Sequence, residues 1–334
     1  MANIKVALLG YGTVGKGVFQ IINQTPNMEI VKILEKPEKF DRNYYDLFTS
    51  DVDSIMKDPN IDLVVEVLGG YGFAKSCIDK ALDAGKHVVT ANKEIIALDI
   101  DTLTKKAREK NVCLAYEASV GGGIPIIKNL KEIKEVSSIS KISGILNGTT
   151  NFILTKMFEG KSFNEALKIA QEKGFAESDP TADLEGYDMM RKIAILSDLA
   201  WDTLVDINLI DHKGISDVSL DMVEHAKNNN KVIKFVCEAT LIEEQIKVEV
   251  KPKYFDDNHF FASVQNEFNS VILETDPNDQ LIYIGKGAGS LPTASAIVSD
   301  VVDIINNRYL DNYQNTKKYK LYNFIIIFSV FYHI

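Results

Sequence analysis

The first third of the chain alternates short apolar runs with amphipathic segments, and this alternation constrains the fold more than any other feature. The runs "IKVALLG", "IDLVVEVLG" and "HVVTA" are predicted strands. Segments such as "VGKGVFQIINQ" and "AKSCIDKALDAG" carry apolar residues at helical spacing between them. Strands that alternate with helices at this pace form βαβ units around a parallel sheet. We therefore predict an α/β protein whose first domain spans residues 1–125.

The pattern changes after residue 125. The stretch "KVIKFVCEATLIEEQIKVEVKPKYF" predicts longer strands joined by polar turns, and so a mixed or antiparallel sheet in an α+β domain over residues 126–285. Residues 286–310 are predicted to contain a helix that returns to the first domain, with Pro292 in its first turn. The remaining residues, 311–334, form an atypical apolar tail.

Charge and cysteine usage exclude some classes of partner. The 334-residue chain has a formal net charge of −10, and an acidic surface repels phosphate backbones, so we expect no nucleic-acid partner. Cys77, Cys113 and Cys237 show no metal-ligand spacing and cannot all pair, which favours a reducing, cytoplasmic location. The apolar run near the C-terminus is too short to span a bilayer as a helix, so we expect no membrane association.

A glycine motif lies between the first predicted strand and the first predicted helix. Gly10, Gly12 and Gly15 in "VALLGYGTVGKG" have the spacing G-x-G-x-x-G. In a Rossmann-type domain the first glycine permits a tight turn, the second lets a pyrophosphate approach the backbone, and the third lets helix and strand pack closely. The free N–H groups of the helix then bind phosphate. The motif and its context predict a dinucleotide site, and a glycine-rich turn in an unrelated α/β protein is the alternative.

The end of the second predicted strand is where the ribose of a dinucleotide is recognised. Glu35 follows Gly15 by twenty residues and is placed to accept a hydrogen bond from a ribose 2′-OH, which favours NAD. Two alternatives stay open. Glu35 could simply begin the polar loop "EKPEKFDR", and Arg42 in that loop could reach a 2′-phosphate.

Four motifs together resemble homoserine dehydrogenase. They are "VALLGYGTVGKG", "HVVTANKEIIA", "YEASVGGGIPII" and "SGILNGTTNFIL", and the resemblance runs from about residue 4 to about residue 308. The resemblance implies reversible reduction of L-aspartate 4-semialdehyde to L-homoserine with NADPH or NADH, in the biosynthesis of threonine, methionine and isoleucine. It also implies that the second domain is catalytic, that the chain forms a homodimer, and that a sodium ion can bind.

The resemblance assigns roles to individual residues. Lys192 is implied to be the proton donor, and Lys93 to lie by cofactor and substrate as a second catalytic lysine. Glu177 and Asp188 are implied to bind substrate, with Asp183 beside them. The cofactor-binding set is Gly10, Gly12, Thr13, Val14, Gly15, Glu35, Lys93, Gly174 and Gly287, and the sodium set is Glu117, Val120, Gly122 and Ile124.

Two points keep alternatives open within this resemblance. The family usually carries an Arg just after the second strand, and "VKILEKPEKF" lacks it, so both NADP and NAD remain possible cofactors. The glycines of "VGGGI" would serve equally well as a hinge between two domains.

Helical geometry gives an independent test of the carboxylate-rich stretch "KGFAESDPTADLEGYDMMRKIAI". A helix from about Gly186 to Trp201 would place Tyr187, Arg191, Asp198 and Asp202 on one polar stripe that faces solvent. Asp188 and Lys192 would begin a stripe that continues with Ile195 and Leu199. A charged pair on an otherwise apolar stripe favours a polar pocket over a surface ion pair, which remains the alternative.

Two rival functions remain at this point. Aspartate-semialdehyde dehydrogenase needs a cysteine nucleophile, and the positions of Cys113 in a predicted buried strand and Cys77 in a predicted helix argue against it. A non-catalytic dinucleotide-binding regulator is the second rival, and the set Glu177, Asp188 and Lys192 argues against that.

Overall fold

The computed structural model describes residues 3–308 and Lys320–Leu321. The strands are β1 Ile4–Leu9, β2 Met28–Leu34, β3 Phe48–Thr49, β4 Leu63–Glu66, β5 His87–Thr90, β6 Leu114–Ala115, β7 Ser138–Ile145, β8 Asp211–His212, β9 Lys231–Ile242, β10 Gln245–Asp256, β11 Phe268–Asp276, β12 Asp279–Lys286 and β13 Lys320–Leu321. The helices are α1 Thr13–Ile22, α2 Val52–Lys57, α3 Gly72–Asp83, α4 Lys93–Glu109, α5 Ile126–Val136, α6 Gly148–Phe158, α7 Phe163–Glu172, α8 Thr181–Leu184, α9 Tyr187–Trp201, α10 Leu220–Asn228, α11 Phe260–Ser263 and α12 Ser290–Ile305.

The first sheet is parallel, as the alternation predicts. Within the described residues its six strands run in the order β3-β2-β1-β4-β5-β6, and each neighbouring pair is parallel. The order reverses between β1 and β4, which is where ligands of open α/β sheets bind. Strand β4 is buried along its whole length because helices cover both faces of the sheet.

The second sheet is mixed, which confirms the α+β prediction. Its described strands run in the order β12-β11-β7-β9-β10-β13, and the central pairs are antiparallel. The short strands β8 and β13 pair with β10 in parallel. Helices α5, α6 and α9 pack on one face of this sheet and share a single large apolar core with it.

The chain crosses between the two sheets twice. After the outward crossing near residues 116–125, helix α12 brings it back and packs against α1. Ser290 Oγ donates to the carbonyl of Thr13 at 2.6 Å, and a side chain on Gly17 would collide with Ser290 and Ala294. The returning helix is therefore part of the core of the first sheet. The residue bounds proposed above for the domains stay a prediction.

Two further expectations concern the apolar tail and the exposure of Asp198. Residues 311–334, the apolar tail, lie outside the described residues apart from Lys320–Leu321. The expectation that Asp198 faces solvent is wrong, because Asp198 is 2% exposed and its carboxylate accepts from the N–H of Val205 at 2.7 Å. No helix in the described part of the chain is long and apolar enough to cross a membrane.

Candidate active site

The glycine motif forms an open turn at the N-terminus of α1. Gly10 has φ +103°, and a Cβ there would lie 2.8 Å from the Val67 carbonyl oxygen. A Cβ on Gly15 would overlap the Gly10 carbonyl, whereas a Cβ on Gly12 would meet nothing within 4 Å. The first glycine thus makes the turn, the third makes the close packing, and space remains above Gly12. Helix α1 begins at Thr13, so its first N–H groups face that space, as a pyrophosphate site requires.

Glu35 lies beside the same turn. Its Oε2 accepts from the backbone N–H of Tyr11 at 3.1 Å, and its Oε1 accepts from the N–H of Lys36 at 2.9 Å. Lys39 is 3.9 Å away. The carboxylate is therefore fixed at the rim of the glycine turn, where the ribose would lie, and each oxygen keeps a second lone pair for a hydroxyl group.

A cluster of charged groups lies between α4 and α9. Asp188 accepts from Lys192 Nζ at 2.7 Å through Oδ2 and lies 3.0 Å from Lys93 Nζ through Oδ1. Asp188 is 6% exposed and Lys192 8% exposed. The surface-pair alternative is therefore wrong, because the Asp188–Lys192 pair is buried at the boundary between the two sheets.

The turn between β7 and α6 completes the cluster. The carbonyl of Leu146 accepts from Lys192 Nζ at 2.6 Å. The side-chain amide of Asn147 donates to Asp183 Oδ1 at 2.7 Å and to Asp188 Oδ2 at 3.0 Å. Two lysines, two aspartates and one amide thus form a contiguous network.

Lys93 reaches this network because of how α4 begins. Asn92 caps the helix by accepting from the N–H of Ile95, and its amide donates to the carbonyl of Gly70 at 2.7 Å. The fully buried Glu66 at the end of β4 accepts from Thr90 Oγ1 at 2.6 Å. These bonds fix the turn between β5 and α4, so Lys93 projects across the cleft towards α9.

The network shifts the pKa values of its members in different directions. Burial works to raise the pKa of Asp188, but the charges of Lys192 and Lys93 outweigh it and hold the pKa below its usual range. Burial, and then the charge of Asp188, raise the pKa of Asp183. The neighbouring Asp188 raises the pKa of Lys93. Asp188 is consequently the fixed negative centre of the site.

The loop before α8 is more open than the network. Glu177 is exposed, and the contact described for it is its backbone carbonyl, which accepts from Gln171 at 3.2 Å. Gly174 ends α7 with φ +74°, and a Cβ there would meet nothing within 4 Å. Thr149 Oγ1 donates to the carbonyl of Phe175 at 2.6 Å, which ties this loop to the start of α6. The structure therefore brings Asp183, Asp188, Lys93 and Lys192 together, while Glu177 lies on the loop.

Gly287 lies at the second crossing and touches a buried amide. A Cβ on Gly287 would overlap the side chain of Asn269, which is 1% exposed. Within the described chain both polar atoms of that amide lack a hydrogen-bond partner. The glycine is thus required by packing, and its role at the cofactor stays a prediction.

The residues predicted to bind sodium lie at the first crossing. The carboxylate of Glu117 accepts from the N–H groups of Ile127 and Lys128 at 2.8 Å each. Burial, and then the charge of Asp300, raise the pKa of Glu117 to about 7. Gly122 has φ +56°, and Val120 and Ile124 on either side of it are buried.

The hinge alternative for these glycines has support of its own. A Cβ on Gly122 would lie 2.5 Å from the backbone of Gly287, and the N–H of Gly123 donates to the carbonyl of Lys286 at 3.1 Å. The two crossings therefore touch each other through backbone atoms.

Sequence reasoning missed several residues that the structure places in or around the site. Asn147 lies within the motif "SGILNGTTNFIL" and has no predicted role, although an Asn directly before a helix is a capping signal. Arg191 forms an ion pair with Glu94 at 3.2 Å beside the Lys93–Asp188 contact. That pairing joins α9 to α4, and no local pattern predicts it.

A dinucleotide turn on a parallel sheet, next to a network of two lysines and two aspartates where the two domains meet, defines a nicotinamide-dependent oxidoreductase. Comparisons with known proteins agree. The family model for homoserine dehydrogenase matches residues 125–302, and the model for the homoserine dehydrogenase NAD binding domain matches residues 10–117. The chain belongs to the homoserine dehydrogenase family, whose members reduce L-aspartate 4-semialdehyde to L-homoserine.

Individual relatives and solved structures support the assignment along most of the chain. Homoserine dehydrogenase of Bacillus subtilis is 40% identical over 324 residues, covering 93% of this chain and 75% of the relative. That of Synechocystis sp. is 39% identical over 318 residues, covering 90% and 73%. The crystal structure of a homoserine dehydrogenase from Thiobacillus denitrificans superposes with a TM-score of 0.87 at 37% identity, over 91% of this chain and 73% of that one.

Proposed function

We propose that Lys192 is the proton donor for reduction of L-aspartate 4-semialdehyde and that Asp188 holds it in place. The observation that carries this proposal is the hydrogen bonding of Lys192 Nζ. Two of its N–H groups are engaged by Asp188 Oδ2 at 2.7 Å and by the Leu146 carbonyl at 2.6 Å. An ammonium has three N–H groups, so the third, which has no acceptor among the described residues, can donate to a substrate oxygen.

The remaining charges suit an amino-acid substrate. L-Aspartate 4-semialdehyde carries an α-ammonium, an α-carboxylate and an aldehyde. Asp183, and Glu177 from the adjoining loop, would bind the ammonium, while Lys93 would attract the carboxylate. The nicotinamide cofactor supplies the hydride. Lys192 then donates to the carbonyl oxygen, and its positive charge stabilises the alkoxide as it develops.

The cysteine chemistry of the rival dehydrogenase finds no support. Cys77, Cys113 and Cys237 are all buried. Burial raises the pKa of Cys77 to about 11 and raises that of Cys237 further. A thiol in such a setting is neutral at pH 7 and is a poor nucleophile.

One assay tests the reaction and its rival together. The purified chain is expected to oxidise NADH or NADPH on addition of L-aspartate 4-semialdehyde, and to reduce the oxidised cofactor on addition of L-homoserine. Inorganic phosphate should have no effect, because acyl transfer to phosphate belongs to the rival reaction. A rate that depends on phosphate, or no turnover of L-homoserine, would refute the proposal.

For the cofactor we propose that NADH is used at least as well as NADPH. Glu35 is fixed beside the glycine turn by its bond to the N–H of Tyr11. A carboxylate there accepts from a ribose hydroxyl and repels a 2′-phosphate. The measurement is kcat/KM for both cofactors in one buffer. A preference of about tenfold or more for NADPH would contradict the proposal and point instead to the basic residues that follow Glu35.

A sodium ion at Glu117 is proposed on the chemistry of its donors. A hard cation prefers a carboxylate with backbone carbonyls, here those of Val120, Gly122 and Ile124. The positive charge of the cation would offset the energetic cost of burying the Glu117 carboxylate beside the charge of Asp300. Thermal stability should therefore be higher in sodium chloride than in tetramethylammonium chloride at equal ionic strength, and Glu117→Gln should abolish the difference. An equal melting temperature in both salts for the wild type would contradict the proposal.

Homodimer formation is supported by the edge strand β12, where Ile282 is 42% and Ile284 53% exposed, since exposed apolar edges are usually covered. Sedimentation should give the mass of a dimer, and Ile284→Lys should shift it towards the monomer. Location in the cytoplasm is supported by three buried cysteines that form no disulfide bond in the described part of the chain, and fractionation of the source cells tests it.

A further inference from the structure

Asn147 is buried at the centre of the charged network and has no role in the reaction as described so far. It follows β7, caps α6 and is 4% exposed. Its Oδ1 accepts from the N–H and from the Oγ1 of Thr150, both at 2.9 Å. A backbone N–H can only donate, so the atom that faces it must be the amide oxygen. The amide nitrogen must therefore face the carboxylates.

Both hydrogens of that nitrogen meet a carboxylate from a different helix. Nδ2 donates to Asp183 Oδ1 in α8 at 2.7 Å and to Asp188 Oδ2 in α9 at 3.0 Å. The oxygen of Asp188 that receives this bond is the one that also receives Lys192. The orientation of the Asp188 carboxylate is therefore determined from one side by the lysine and from the other by the amide.

The residue before Asn147 acts on the other member of the pair. The Leu146 carbonyl accepts from Lys192 Nζ, as described above. Two consecutive residues of a single turn thus hold the lysine and its carboxylate partner, and the cap at Thr150 ties that turn to the helix. If the amide were lost, the turn could still hold the lysine but no longer the carboxylates.

We propose that Asn147 is a positioning residue for the reaction, whose amide bridges Asp183 and Asp188 and so aims the Lys192 ammonium at the substrate. This inference rests on the proposed roles of Lys192 and Asp188. Asp183 and Asp188 repel each other across the amide, and a neutral donor between them stabilises both negative charges. Without it the site would relax by protonation of one carboxylate or by rotation of Asp188 away from Lys192.

Two substitutions separate this role from helix capping, because Ser and Asp are both good N-cap residues. Asn147→Ser keeps an acceptor for the cap and removes the amide donors. Asn147→Asp keeps the size and the cap and places a third carboxylate against the other two. Ser162 lies outside the charged network and caps the neighbouring helix α7 by accepting from the N–H of Glu165 at 3.3 Å, so it provides the control Ser162→Ala.

The pH profile of kcat/KM is the readout that a purely structural role would not move. Like charges disfavour ionisation, so Asn147→Asp should move the acidic limb of the profile to higher pH by about one unit. The charged and titratable groups that face the amide and its two carboxylates are Asp183 on α8, Asp188, Arg191 and Lys192 on α9, Lys93 and Glu94 on α4, and the thiol of Cys237 on β9.

The expected result is a loss of kcat by about tenfold to a hundredfold in both Asn147 variants, with NAD(H) affinity within about threefold of wild type because the glycine turn lies on the other domain. Ser162→Ala should keep the wild-type kcat and pH profile. Wild-type kcat and an unmoved acidic limb in folded Asn147 variants would overturn the inference. Loss of the fold in both would also overturn it, since the amide would then serve the fold alone. If the wild type itself does not turn over L-homoserine, the proposed function fails first.

Discussion

Replacement of Lys192 by methionine tests the proposed proton donor, because methionine fills most of the same volume without a charge or a donor. The structural cost should be limited. Asp188 keeps Lys93 at 3.0 Å and the amide of Asn147 at 3.0 Å, so its charge is not left alone. The Leu146 carbonyl loses its donor, which costs about 1–3 kcal/mol for a buried acceptor. We therefore expect a folded protein with moderately reduced stability.

The catalytic cost should be larger than the structural one. A positioned general acid contributes roughly 10²–10⁴-fold to the rate, which is about 3–5 kcal/mol of transition-state stabilisation at 1.36 kcal/mol per decade. Lys192→Met should lower kcat by that factor and leave the dissociation constant of NAD(H) nearly unchanged. Lys192→Arg should restore little, because its guanidinium is larger and does not release its proton.

The assay follows absorbance of the reduced cofactor with L-aspartate 4-semialdehyde, with urea unfolding of each variant alongside. Lys234→Met is the matched control, because Lys234 is also buried, at 4% exposure against 8% for Lys192, in the same domain. It should keep kcat within about threefold. If Lys192→Met retains more than about a tenth of the wild-type kcat, proton donation lies elsewhere, and Lys93 is the next candidate. If it loses its fold, the Lys192–Asp188 pair is structural.

Two predictions concern stability. Burial lowers the pKa of Lys234 to about 8 from an unfolded value of 10.5. Between these pH values the unfolded chain binds more protons than the folded chain. The free energy of unfolding of the wild type should therefore rise by on the order of 3 kcal/mol from pH 8 to pH 10.5. Lys234→Met should lack this gain in urea unfolding at each pH. Parallel curves for the two proteins would instead show that Lys234 stays charged in the folded state, held by the bonds that its Nζ donates to Asn151 at 3.2 Å and to the Val264 carbonyl. Gly287→Ala should destabilise the protein by about 1–3 kcal/mol because its Cβ would overlap the amide of Asn269. Asn269→Ala in the same chain should recover part of that loss, and strictly additive effects in this double-mutant cycle would mean that the two residues do not collide.

The sequence by itself determined the features that depend on local periodicity and on backbone freedom. The spacing of apolar residues predicts the parallel sheet, and the helix assumed from about Gly186 to Trp201 is present in the structure at Tyr187–Trp201. The glycine motif predicts an open turn before α1, because only glycine tolerates the φ of +103° at Gly10. Such signals are contained within a few neighbouring residues.

Only the tertiary structure decided which polar groups meet. Lys93 and Asp188 are joined at 3.0 Å although they begin different helices in different domains. The amide of Asn147 reaches Asp188 from a turn 41 residues earlier in the chain. Asp198 is buried against the N–H of Val205, although the helical stripe alone predicts exposure. The physical reason is that helical period fixes which side chains share a face, whereas packing between distant elements fixes what that face contacts.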